Sequence, residues 1–208
     1  MPFAVGTTAL VEGDPNAALD LLFLHGRGEN HAKGLDMVRL RAPFRNAEAT
    51  RLFRIIAPQL ATEAQLWGDR LSEVFELCKG LAPAAGTGKR PLFVVGFSIG
   101  GAGTVDLANV AAANGFAVAA WCAVDAARPP AIEGAGLVPH LIIDGPMGYR
   151  SAESISVACP PNIDSKHYHG WVAQHAMQDG APLAPGGTSI YAWFAGIVAA
   201  RAARTPAV

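Results

Sequence analysis

Apolar residues in this chain fall into two alternating kinds of segment. Short unbroken runs, at Leu19 to Leu24, Leu52 to Ala57, Leu92 to Val95, Phe116 to Val124 and Val138 to Ile143, predict strands buried on both faces. Ser154 to Ala158 predicts a last short strand stopped by Cys159-Pro160-Pro161, and Pro58 predicts the end of the second. Between them, Thr62 to Leu81 carries Leu66, Trp67, Leu71, Val74, Phe75, Leu77, Cys78 and Leu81 at helical spacing on one face. Thr104 to Ala113 predicts a helix closed by Asn114-Gly115, and the alanine-rich Thr188 to Arg204 predicts a closing helix. Residues 1 to 17 read as a lead with a turn at Gly13-Asp14-Pro15-Asn16, and Lys166 to His169 as a polar loop followed by Gly170 and an apolar helix start. Strands alternating with helices imply an α/β fold, a three-layer sandwich whose mostly parallel sheet is covered on both faces. The 208 residues predict a single domain over 1–208.

In such a sheet, ligands sit at the carboxyl ends of strands. His25-Gly26, Ser98, Asp125 and Asp144 all fall at such ends. Gly96-Phe97-Ser98-Ile99-Gly100 has the form of a nucleophile elbow, a strand turning so sharply into a helix that the central side chain is held exposed. The flanking glycines are a steric requirement, because side chains there would meet the neighbouring strand and helix. Upstream, the first buried strand runs into His25-Gly26-Arg27-Gly28, a flexible backbone whose N–H groups can turn towards an anion. Asp164, His167, His169 and His175 come later in the chain, within reach of the same sheet edge.

Composition narrows the chemistry. With 51% hydrophobic and 16% charged residues, disorder is excluded. Sixteen basic against 17 acidic residues give no electrostatic footprint for nucleic acid or an anionic membrane, so a neutral or apolar substrate is expected. The scattered Cys78, Cys122 and Cys159 suit buried free thiols in a reducing compartment and form neither a disulfide framework nor a zinc site. The first residues lack a basic region followed by a long apolar one, which predicts a cytoplasmic protein. The run Ile190 to Ala200 is about half of what a membrane span needs, so no integral membrane segment is expected. Gly86-Thr87-Gly88-Lys89 follows a helix and opens a strand, the reverse of a phosphate loop, and reads as a surface turn. His31 to Thr50, with Arg39, Arg41 and Arg45, reads as a polar loop with helical pieces. No carboxylate accompanies His167, His169 and His175 at the spacing of a zinc motif, so no metal and no cofactor is expected.

On Leu22-Phe23-Leu24-His25-Gly26-Arg27-Gly28, on Gly96 to Gly101, and on a late histidine after acids at strand ends, the chain resembles the α/β-hydrolase superfamily. The resemblance covers Leu19 to the C-terminus as an architecture. It is to compact members without a cap domain, the cutinase-like, lysin-B-like and small carboxylesterase or lysophospholipase proteins. It implies a serine hydrolase that cleaves a carboxylic ester through an acyl-enzyme, with Ser98 as nucleophile, a histidine as base and a carboxylate orienting it. The oxyanion donors it implies are the backbone N–H groups of Ile99 and Arg27. His169, in Lys166-His167-Tyr168-His169-Gly170-Trp171, is taken as the base ahead of His175 and His167. The acid stays open between Asp125 and Asp144, with Asp125 taken first. The implied partner is a small-molecule, lipid or polymeric ester, and the oligomeric state is left open. A non-catalytic ligand-binding module on the same fold is the alternative, since fold does not fix function.

Overall fold

The computed structural model describes residues 8–27, 42–62, 64–81, 90–127, 131–145, 154–158 and 160–204. The expectations for Gly28, Arg39, Arg41, Cys159 and Gly86 to Lys89 lie outside the described residues.

Seven strands form one sheet: β1 (Thr8–Gly13), β2 (Leu19–Leu24), β3 (Phe53–Gln59), β4 (Leu92–Phe97), β5 (Val118–Val124), β6 (His140–Asp144) and β7 (Ser154–Ser156), in the order β1-β3-β2-β4-β5-β6-β7. The β1–β3 pair is antiparallel, and every other pair is parallel. The helices are α1 (Ala47–Leu52), α2 (Leu71–Leu81), α3 (Ile99–Val110), α4 (Ser165–Ala173) and α5 (Ile190–Arg204).

The alternation of side chains along each strand builds the two outer layers. In β4, Phe93 and Val95 join a cluster with Tyr168 and Val172 of α4 and Tyr191 and Phe194 of α5. Leu92 and Val94 face the other way, towards Val74 and Phe75 of α2 and Val105 and Leu107 of α3. All residues of β4 and β5 are buried. At about 1.5–3 kcal/mol for each fully buried large side chain, these central strands hold the sheet together. Asp20 of the neighbouring β2 is buried, and it accepts from Arg54 Nε at 2.8 Å and Nη2 at 3.1 Å, with Arg90 Nη2 at 3.0 Å. Paired twice, it ties the starts of β2, β3 and β4. Cys78 and Cys122 are buried free thiols. Burial, assisted by the Asp20 charge, pushes Cys78 up to about 12, and burial raises Cys122 as well, so both are inert.

Several boundaries depart from the sequence expectation. The lead forms an edge strand, β1, because it finds a partner in β3 through the register Thr8↔Gln59 to Gly13↔Arg54. Pro58 lies inside β3; pairing with β2 has ended at Leu22↔Ile56, so its missing N–H costs no bond on that side. The helix expected from Thr62 begins at Leu71 after a 3-10 turn at Trp67–Arg70. Ahead of it, the Gln65 side chain accepts from the N–H groups of Ala61 and Thr62 and holds a turn. The helix after Ser98 starts at Ile99, five residues earlier than Thr104. The polar loop expected at Lys166 to His169 is part of α4, which starts at Ser165 instead of after Gly170 because Asp164 caps it, accepting from the His167 N–H at 3.0 Å, and α4 continues as a π turn at Gln174–Gln178.

The sheet order fixes where a site can lie. From β2 the chain goes to β3 on one side, whereas β4 lies on the other and β5 to β7 follow outwards from it. The carboxyl ends of β2 and β4 therefore flank the topological switch point, where a crevice opens.

Candidate active site

At that point β4 turns into α3 through Ser98, whose φ of 58° and ψ of −118° no strand or helix provides. Among the described residues Ser98 shares a positive φ with just one other non-glycine residue, Asp125. Such strain costs about 1–3 kcal/mol and persists when the surroundings over-determine it. Here they do: Ser98 N–H donates to the Val124 carbonyl at 3.0 Å, and the Ser98 carbonyl accepts from Ala102 N–H at 3.2 Å and Ala127 N–H at 3.0 Å. The glycines permit the corner. A Cβ on Gly100 would sit 1.9 Å from the Leu24 carbonyl oxygen, and one on Gly96 2.1 Å from the Gly100 oxygen. Ser98 stands at the N-terminus of a 12-residue helix, where unsatisfied amides and the helix dipole favour negative charge.

Asp125 directly follows β5 and is fully buried, with φ at 44°. Its Oδ1 accepts from the Gly145 N–H at 3.1 Å, and its Oδ2 accepts from His169 Nδ1. Gly145 is close enough that a Cβ there would lie 2.9 Å from Asp125 Oδ2. His169 comes from α4, in a helix and not in the loop expected, and its half-buried ring lies against Phe97 with centroids 4.3 Å apart. A carboxylate can only accept, so the contact puts the His169 proton on Nδ1 and leaves Nε2 with its lone pair. Among the described residues no hydrogen bond joins Ser98 Oγ to His169; such bonds commonly tighten only with substrate present.

The structure thus brings Asp125, His169 and Phe97, the neighbour of Ser98, together. Asp144, the alternative acid, ends β6 nearly fully buried, and its backbone carbonyl accepts from Val157 N–H at 3.2 Å. His175, the alternative base, lies in the π turn with its ring stacked on Trp171 at 4.6 Å. His167 is exposed and bonds Asp164 at 2.8 Å. Arg27 and Ile99, whose N–H groups are the expected oxyanion donors, line one cavity of about 200 Å³ together with Leu66, Trp67, Asp106 and Ala127. The part played by Leu66 and Trp67 was not read from the sequence, where both counted as apolar positions of a scaffold helix. Their place after β3, at the carboxyl edge, is the signal that bears on it.

No helix among the described residues is long and apolar enough to cross a membrane. The mostly parallel sheet with this strand order, an antiparallel first strand and a strained serine between the fourth strand and the helix after it define the α/β-hydrolase fold. No family model matches the sequence, and no curated protein matches it. Among solved structures it is similar to a phospholipase/carboxylesterase from Dyadobacter fermentans, at 15% identity over 78% of this chain and 92% of that one, with a TM-score of 0.47. A carboxylesterase from Bacillus subtilis aligns at 18% identity over 59% of this chain and 40% of that one, with a TM-score of 0.42. A putative aryl esterase from Burkholderia cenocepacia aligns at 20% identity over 58% and 42%, with a TM-score of 0.36. Likeness at this level carries no weight of its own; the fold rests on the sheet order and the sharp turn at Ser98.

Proposed function

We propose that the chain is a serine hydrolase that cleaves a carboxylic ester through an acyl-enzyme, with Ser98 as nucleophile, His169 as base and Asp125 as the orienting acid. The observation that carries the proposal is the buried Asp125 carboxylate accepting from His169 Nδ1 across 44 residues of sequence, beside the strained serine. A serine hydroxyl is a poor nucleophile at neutral pH, so its proton must leave as the bond to carbon forms. His169 Nε2 takes that proton while Oγ adds to the ester carbonyl, and the Asp125 carboxylate stabilises the imidazolium. The protonated His169 then donates to the departing alkoxide as the C–O bond breaks, leaving the acyl-enzyme and a free alcohol. A water, deprotonated by the same histidine, attacks the acyl carbon, and Ser98 Oγ leaves with the proton.

Two backbone N–H groups, of Ile99 and Arg27, meet the negative charge that grows on the carbonyl oxygen in both halves of the reaction. Each is expected to contribute about 3 kcal/mol to lowering the barrier. The cavity they line is walled by Leu66, Trp67 and Ile99 and accepts an apolar part of the ester. Reaction with a fluorophosphonate probe tests the proposal. The folded protein is expected to be labelled once and to lose labelling in Ser98→Ala; a folded, unlabelled parent contradicts it.

A further inference from the structure

His25 is fully buried and takes no part in the proton transfers of the triad, yet its ring is bonded at both nitrogens. Nδ1 lies 2.8 Å from the Gly26 carbonyl oxygen, and the Leu60 N–H donates to Nε2 at 3.3 Å. A carbonyl only accepts and an amide only donates, so both contacts demand the same neutral tautomer, with the proton on Nδ1. Trp67 Nε1–H donates to the His25 carbonyl at 2.9 Å, and its ring stands edge-on to the imidazole at 5.0 Å. The two peptide units around Gly26 are thus each fixed by one hydrogen bond from the core side.

The second of these units matters for chemistry. Gly26 C=O and Arg27 N–H belong to one planar trans peptide and point in opposite directions. With the carbonyl turned inwards to His25 Nδ1, the Arg27 N–H is directed away from the imidazole, and Arg27 lines a cavity together with Ile99. Gly26 also touches the elbow, since a Cβ there would sit 3.4 Å from Ser98 Cβ. A freely rotating peptide next to glycine could present its carbonyl to the cavity instead, which would repel an oxyanion.

We infer that His25 is a positioning residue of the oxyanion hole: its Nδ1–H holds the Gly26–Arg27 peptide so that the Arg27 N–H faces the carbonyl oxygen of the ester, and Leu60 and Trp67 lock the ring and the preceding peptide. This rests on the serine-hydrolase reading of Ser98. It concerns the transition state alone, because the ester carbonyl acquires its full negative charge only there.

Two substitutions separate positioning from packing. The amide nitrogen of His25→Asn can still donate to the Gly26 carbonyl from the position of Nδ1, whereas His25→Leu cannot. Both lose the Leu60 bond, and both are expected to lower the melting temperature. On a chromogenic ester, His25→Leu is expected to lower kcat about 100-fold with KM within about threefold, and His25→Asn to recover most of that loss. Affinity for an alkyl trifluoromethyl ketone, whose hemiketal oxygen on Ser98 mimics the oxyanion, is expected to fall with kcat. A folded His25→Leu with parent-like kcat and ketone affinity, or equal loss of kcat in both variants, overturns the inference. Should His25→Leu not fold, Trp67→Phe, which frees the His25 carbonyl, is expected to lower kcat for an acetate ester about tenfold, with any KM change at this cavity-wall residue confined to longer acyl chains, and parent-like kcat there overturns it too. A parent protein with neither ester turnover nor a fluorophosphonate adduct would instead refute the hydrolase reading, before any His25 variant is compared.

Discussion

Replacing Asp125 by asparagine removes one charge and almost no volume, so its cost lies in the hydrogen bonds around it. The side chain is fully buried between two donors, Gly145 N–H at 3.1 Å from Oδ1 and His169 Nδ1 at Oδ2. If the amide oxygen of Asp125→Asn stays on Gly145, its NH2 faces Nδ1 and forces the imidazole proton onto Nε2, where it opposes Ser98 as a donor. If the amide turns round, its NH2 confronts the Gly145 N–H, and one buried donor is left unmet. Either arrangement also withdraws the negative charge that stabilises the imidazolium. A loss of about 10⁴ in kcat, or about 5.5 kcal/mol in the barrier, is expected, as in other serine triads that carry this change. KM is expected to hold within a few-fold, because Asp125 lies behind the histidine and away from the ester. The fold is expected to survive, since asparagine tolerates the φ of 44° that this position requires. The assay is initial-rate hydrolysis of a p-nitrophenyl ester by Asp125→Asn and Asp144→Asn in parallel, with thermal melts of both. Near-normal turnover in Asp125→Asn together with its abolition in Asp144→Asn would refute this assignment of the acid.

Three further outcomes are expected. His25 is lowered from 6.5 to about 4 by burial, opposed in part by its bond to the Gly26 carbonyl, so the folded state resists a proton that the unfolded chain accepts. The resulting stability is fully present above pH 6.5 and is lost as pH falls towards 4, about 3 kcal/mol in all; urea midpoints at both pH values should show it, and the dependence should flatten in His25→Asn. Gly100→Ala places a methyl 1.9 Å from the Leu24 carbonyl oxygen and is expected to destabilise by about 3 kcal/mol or more, read as a loss of soluble folded protein or a large drop in melting temperature. Ala127→Trp, at an exposed position on the cavity wall, is expected to lower kcat/KM for long or bulky esters about tenfold relative to acetate, and an unchanged chain-length profile would place the substrate elsewhere.

The strand–serine–helix corner at Ser98 was legible because its steric demands are local: a buried run, a serine and glycines within a dozen residues leave few alternatives. Asp125 and Asp144 could be placed at strand ends for the same reason, since unbroken apolar runs mark the strands that deliver them. What joins distant segments was less visible. The edge strand Thr8–Gly13 exists through its pairing with β3, and nothing within those six residues separates it from a polar lead. His169 was expected in a loop because Lys166 to Gly170 is polar with a glycine, but Asp164 caps a helix whose buried Tyr168 and Val172 supply its packing. The bonds of His25 reach Leu60 and Trp67, 35 and 42 residues away, so its tautomer and its hold on Gly26 could not be read from His-Gly-x-Gly.

Trapping the covalent intermediate tests Ser98 most directly. The protein is mixed with excess p-nitrophenyl ester, quenched in acid within the first turnovers, digested, and its peptides are weighed. A burst of about one equivalent of nitrophenol, with the acyl mass added to the peptide carrying Ser98, is the expected result. Turnover that proceeds with no acylated Ser98, or that survives in Ser98→Ala, would contradict the account.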